Sequence, residues 1–246
     1  MIKKRKSLAA GALTAPLPPA LVTVGDGERK NVLTVAWTGI LATKPPRTYV
    51  SVRPSRYSFG LLKEGGEFVI NLPTADMARQ VDFAGIYTGA KMDKFEKCGF
   101  TAVKSDHVAP PTVAECPLAL ECRVYEVREM GTHHVFFADI LGVTCHEELI
   151  DGEGRLCLER ANLLAYAHGQ YYRLGEVIGR FGYSTDKPKK ATKSETGERA
   201  PASKGREESA PAPFYKTAPR GSVRKRPQNK DKGRPHLKGG RPKNEK

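Results

Sequence analysis

Residues 45–58 read PPRTYVSVRPSRYS, a strand followed directly by a cluster of polar and cationic side chains. Thr48, Val50 and Val52 alternate with Arg47, Tyr49 and Ser51, the two-residue period of a half-buried strand. Pro45 and Pro46 have no amide hydrogen to give a ladder, so the strand begins at about Arg47. At its far end Ser51, Arg53, Ser55, Arg56 and Ser58 gather hydroxyls, guanidinium groups and free backbone amides. If Ser58 opens a helix, the first-turn amides also point outward, and the whole suits a phosphate or another anion. A solvated loop with a capping serine would have the same composition. The stretch alone leaves both readings open.

The segments around it are also strand-like. Leu21–Val24 and Val32–Trp37 flank Gly25-Asp26-Gly27, a hairpin signal. Glu67–Asn71 is a short apolar run, and Ala119–Val127 and Val135–Val143 flank Gly131. Helical pattern is confined to Ser58–Lys63, a segment from an N-capping Thr74 to Phe83, Met92–Lys97 ahead of Gly99, and Glu159–Ala167. Strands dominate without regular strand–helix alternation, so the expected body is mostly β, a closed or partly closed antiparallel barrel. No glycine-rich dinucleotide fingerprint or P-loop occurs.

Charge divides the chain. Residues 187–246 carry 19 Lys and Arg against 6 Asp and Glu, whereas residues 1–186 carry 22 against 21. The tail also holds eight prolines, with Phe214 and Tyr215 its only aromatics, a composition that buries too little apolar surface to fold. The expected organisation is a near-neutral domain over 1–186 and a disordered basic tail over 187–246. The five cysteines include no C-x-x-C pair, which argues against a disulfide framework and a zinc site; no metal is expected. The N-terminus starts MIKKRK, but Pro16, Pro18 and Pro19 interrupt the apolar stretch that follows. A cleaved signal is therefore not expected, no run approaches the ~20 apolar residues of a membrane span, and a cytoplasmic location is expected. His133-His134, Asn71 and the single Trp37 are polar or aromatic points that spacing alone does not assign.

In combination these segments are more specific than any one of them. LVTV (21–24), NVLTVAWTGILATKPP (31–46), VSVRPSRYS (50–58), GEFVINLP (66–73), GAKMDKF (89–95), ALECRV (119–124), GTHHVFFADI (131–140) and YYRLGEVIGRFGYS (171–184) resemble, in order, the flavin reductase-like family of FMN-binding split barrels, in particular its flavoredoxin-like branch. The resemblance implies a six-stranded antiparallel split barrel, a homodimer, and bound FMN. It implies an oxidoreductase that passes electrons from NADH or NADPH to flavin, or through bound FMN to an acceptor. Carried over by motif, Thr34, Val35, Ala36, Trp37 and Thr38 would line the isoalloxazine, with Ser51 and Val52 beside it. Arg56 and Ser58 would hold the phosphate or ribityl end, Asn71 would reach the ligand from the neighbouring strand, and Lys94 and Phe95 would close the site. His133 matches a histidine associated with the nicotinamide side, but Thr132 stands where the family has an acid.

The tail lies outside this resemblance. Gly233-Arg234-Pro235 and Gly240-Arg241-Pro242 resemble minor-groove hook cores without the flanking arginine. Non-specific contact with nucleic acid through its Lys and Arg is one reading, a solubilising extension another.

Overall fold

Alternation and glycine turns set the strand plan of the computed structural model, which describes residues 3–185. Strands β1 (Ala20–Val24) and β2 (Asn31–Val35) pair antiparallel, Ala20 opposite Val35. Their turn passes through Gly25 at φ 85°, where a Cβ would lie 2.1 Å from the Arg29 carbonyl oxygen, so only glycine fits. There follow β3 (Thr38–Thr43), β4 (Pro46–Val52), helix α1 (Tyr57–Gly65), β5 (Glu67–Leu72), α2 (Ala78–Ile86) and α3 (Lys94–Cys98). The short β6 (Ala102–Val103) and β7 (Thr112–Val113), the long β8 (Leu118–Met130) and β9 (His133–Cys145), and the hairpin β10 (Leu164–Ala167) and β11 (Gln170–Arg173) complete the body.

The main sheet runs β2-β1-β5-β8-β9-β4-β3, every pair antiparallel. Its two edge strands are consecutive in sequence, joined by Ala36 and Trp37 alone. Two residues of chain span only about 11 Å between strand ends, so the sheet must curl until its edges meet. The Ser51 amide donates to the Trp37 carbonyl at 3.0 Å across that seam. The result is the expected mostly-β split barrel, with seven strands in its sheet rather than six. The difference is the break at Ala36-Trp37, which divides one long strand into β2 and β3.

Burial follows the two-residue period. Ala20, Val22 and Val24 face the barrel interior with Val50, Phe68 and Phe136, while Leu21 faces outward into a second core with Val32, Val81, Phe95 and Val113. β1 is buried on both faces because α2 and α3 cover the outside of β1 and β2.

Local expectations fail at three points. Glu159–Ala167 is not a helix: a single 3-10 turn covers Leu158–Arg160, Asn162 adopts a left-handed φ of 49°, and β10 follows. His168 and Gly169, at φ 47° and 87°, then turn the chain into β11. Ser58 does not open α1; Arg56 occupies the N-cap and Ser58 is buried in the first turn. Thr74 makes no side-chain capping bond. The basic tail at 187–246 lies outside the described residues. Among the described residues no helix is long and apolar enough to cross a membrane.

Candidate functional site

The break between β2 and β3 opens onto a cleft of about 310 Å³. Leu33, Thr34 and Val35 form one side, and Ala36 and Trp37, which lie outside both ladders, form the rim. Ser51, Val52 and Arg53 enter from the end of β4. Because Val52 pairs with His134, the start of β9 lies beside that end and brings in His133. Gly85 of α2 and Tyr166 and Tyr171 of the β10–β11 hairpin line it as well. The Trp37 and His133 rings pack with centroids 4.5 Å apart, yet Trp37 stays 40% exposed.

A smaller recess of about 70 Å³ shares Leu33 and Arg56 with the cleft. Ser55, Ser58, Asn31, Gly89 and Lys94 also line it. α3 is capped by Asp93, whose carboxylate accepts from the amides of Phe95 and Glu96. From its first turn Lys94 reaches back into the body, where Nζ donates to the carbonyls of Val32 at 2.9 Å and Ala84 at 2.7 Å. The residue is buried, and no carboxylate pairs with it among the described residues. Burial, with the Arg56 charge as second cause, pulls its ammonium down to about 8. An ammonium has three N–H groups, so one remains beyond the two carbonyls. Asn31 Nδ2 donates to Ser58 Oγ at 2.6 Å, which leaves the Ser58 hydroxyl proton to donate. Arg56 Nη1 donates to the Gly85 carbonyl at 2.8 Å, fixing the guanidinium between recess and cleft. The first amides of α1 start at the same point and have no intrahelical acceptor. These donors form a site for one compact anion.

Arg53 Nε donates to His133 Nε2 at 3.4 Å, so the ring proton sits on Nδ1 and donates to Thr132 Oγ1 at 2.9 Å. Desolvation first, then the charges of Arg53 and Arg56, lower the His133 pKa, and the imidazole is neutral near pH 7.

Of the residues singled out in the sequence, Thr34, Val35, Ala36, Trp37, Ser51, Val52, Arg56 and His133 line the cleft, and Ser58 and Lys94 join Arg56 at the recess. The Thr34 hydroxyl donates to the Val81 carbonyl, so its side chain fastens β2 to α2. The remaining three line neither cavity. Thr38 donates to the Tyr49 carbonyl at 2.6 Å within the sheet. Asn71 is fully buried: Nδ2 donates to the Leu21 carbonyl at 2.9 Å, and Oδ1 accepts from the Val113 amide at 2.9 Å, tying β5 to β1 and β7. Phe95 packs in the second core, 6.4 Å from Phe100 between ring centroids. Sequence reasoning did not assign Asn31, Gly85, Tyr166 or Tyr171. The two tyrosines had a signal in the His168-Gly169 turn, which marks a hairpin.

Comparison with known proteins places this geometry in context. Residues 13–175 match the family described as "Flavin reductase like domain". A protein of Archaeoglobus fulgidus is 40% identical over 138 residues, 56% of this chain and 77% of that protein. The solved structure of flavoredoxin of Desulfovibrio vulgaris is similar with a TM-score of 0.69 and 32% identity, covering 74% of this chain and all of the other. An FMN-binding protein from Thermus thermophilus, solved with 1-cyclohex-2-enone, is similar with a TM-score of 0.60 and 25% identity over 73% of this chain and 99% of its own.

Proposed function

The chain belongs to the flavin reductase-like family, and from that membership we propose that it is an oxidoreductase that binds FMN in the cleft. The FMN phosphate lies in the Arg56–Ser58–Lys94 recess, and electrons pass from NADH or NADPH to the flavin or through it to an acceptor. The single observation that carries this reading is Lys94, a buried cation held by two carbonyls and lacking an anion of its own, next to a cleft bordered by Trp37, Tyr166 and Tyr171. Burying an unpaired ammonium is costly, and a bound phosphate monoester offsets that cost. Similarity to a flavoredoxin and to an FMN-binding protein supports the choice of ligand.

When bound, the flavin supplies the redox chemistry by accepting a hydride from dihydronicotinamide and releasing two electrons to an acceptor. The chain supplies position. Arg56, Ser58 and Lys94 anchor one end, which fixes where a ring can lie in the cleft. The amides of Ala36 and Trp37, outside both ladders, are placed to donate to a ring edge that gains negative charge. No side-chain acid or base is needed for hydride transfer, and the neutral His133 is consistent with that.

The protein as purified should be yellow or take up FMN to become so, and anaerobic NADH or NADPH should bleach it. FMN binding without bleaching by either nucleotide would leave the electron-carrier reading, which the flavoredoxin similarity favours. We also propose a homodimer. Tyr49, Phe137 and Tyr125 lie in one row across β4, β9 and β8, with Tyr125 and Phe137 packed at 6.4 Å and Tyr125 left 43% exposed. Light scattering at twice the chain mass supports the dimer, and the single-chain mass contradicts it.

A further inference from the structure

Arg53 lines the cleft but not the recess, and the flavin reading gives it no ligand. It follows Val52 at the end of β4, beside His133. Its Nε reaches His133 at 3.4 Å, and no carboxylate pairs with its guanidinium among the described residues. No Asp or Glu lines the cleft, and residues 131–134, Gly-Thr-His-His, offer none. One phosphate monoester is already matched by Arg56, Ser58 and Lys94, so the charge of Arg53 is surplus to it. A guanidinium with free Nη groups matches phosphate oxygens in pairs, and the adjoining Trp37–His133 shelf offers a flat aromatic face.

We propose that Arg53, with His133 beside it, forms a second anion site in the cleft and takes the diphosphate of the nicotinamide dinucleotide that reduces the flavin. This assignment rests on the flavin reading and names the group that selects its donor. His133 acts there as a neutral hydrogen-bonding group, since the neighbouring guanidinium charges disfavour its protonation. The site is open to solvent, so dinucleotide binding through it weakens with added salt.

The test compares FMN-loaded wild type with Arg53→Gln and Arg53→Lys. Calorimetry reads the Kd of NADP+, and kinetics read kcat/KM for NADPH and for N-benzyl-dihydronicotinamide, a hydride donor without phosphates. Arg53→Gln should weaken NADP+ binding by about tenfold or more, with the loss of charged hydrogen bonds. The preference for NADPH over the phosphate-free donor should shrink by a similar factor, through KM, with Arg53→Lys between. Unchanged NADP+ binding and unchanged donor preference overturn the proposal. So does loss of FMN itself from Arg53→Gln, which would assign Arg53 to the flavin phosphate. Failure of both donors to reduce the wild type overturns the flavin reading instead, a pattern distinct from reduction by both with an indifferent Arg53.

Discussion

Lys94 decides the chemistry of the recess because its charge depends on pH and on what it faces. Its ordinary value is about 10.5 and burial lowers it to about 8. Between those values the unfolded chain holds a proton that the folded chain releases, so this group makes the ligand-free protein more stable as pH rises from about 8 towards 10.5. Phosphate binding runs the other way, since it needs the ammonium. FMN affinity should fall as pH climbs past about 8, and Lys94→Met should bind FMN more weakly with that fall removed. Titrations by flavin fluorescence check this, and a pH dependence that persists in Lys94→Met would contradict it. Asn71 was assigned to the ligand by motif, yet both ends of its amide bind backbone. Asn71→Ala should therefore cost about 2–3 kcal/mol of stability by leaving the Val113 amide unpaired. Urea unfolding measures this, and unaltered stability would refute the fastening role. The two errors share a cause: a polar residue on an apolar strand reads the same whether it grips a ligand or a neighbouring strand. Arg56 and Ser58 were legible because loop cations and hydroxyls just past a strand end have few structural partners.

Among the elements, the strand pairs and α3 were legible because alternation and glycine stops are local signals. The division of β2 from β3 was not, because Val32–Trp37 is apolar throughout and the break is imposed by barrel closure. The β10–β11 hairpin was misread as a helix because Leu163, Leu164 and Ala167 satisfy helical spacing, and the left-handed Asn162 that breaks it has no strong sequence mark. That error hid Tyr166 and Tyr171, which close one side of the cleft. The connection from α2 to α3 shows how tightly the elements set the recess. A Cβ on Gly89 would lie 2.2 Å from Asn31 Oδ1, and Asn31 holds Ser58. Gly89→Ala should displace Asn31, lower stability by about 1–3 kcal/mol and weaken FMN binding. Thermal unfolding and an FMN titration of the same variant check both effects; wild-type values in both would mean that the loop yields without disturbing β2.

For the whole molecule, the barrel brings together residues far apart in sequence: the 31–37 segment, the end of β4, Lys94, His133 and the 166–171 hairpin. Order along the chain made the family recognisable, and the match over residues 13–175 agrees with it. Which of the matched residues reach the cavity depends on three-dimensional closure, as Asn71 and Phe95 show. FMN and riboflavin differ only by the phosphate, so their relative affinity isolates the recess from the aromatic cleft. Charged hydrogen bonds to that phosphate should make FMN bind about 100-fold more tightly than riboflavin. Arg56→Ala and Lys94→Met should each erode that preference while leaving riboflavin affinity near its wild-type value. Equal affinity of the wild-type protein for FMN and riboflavin would contradict the account.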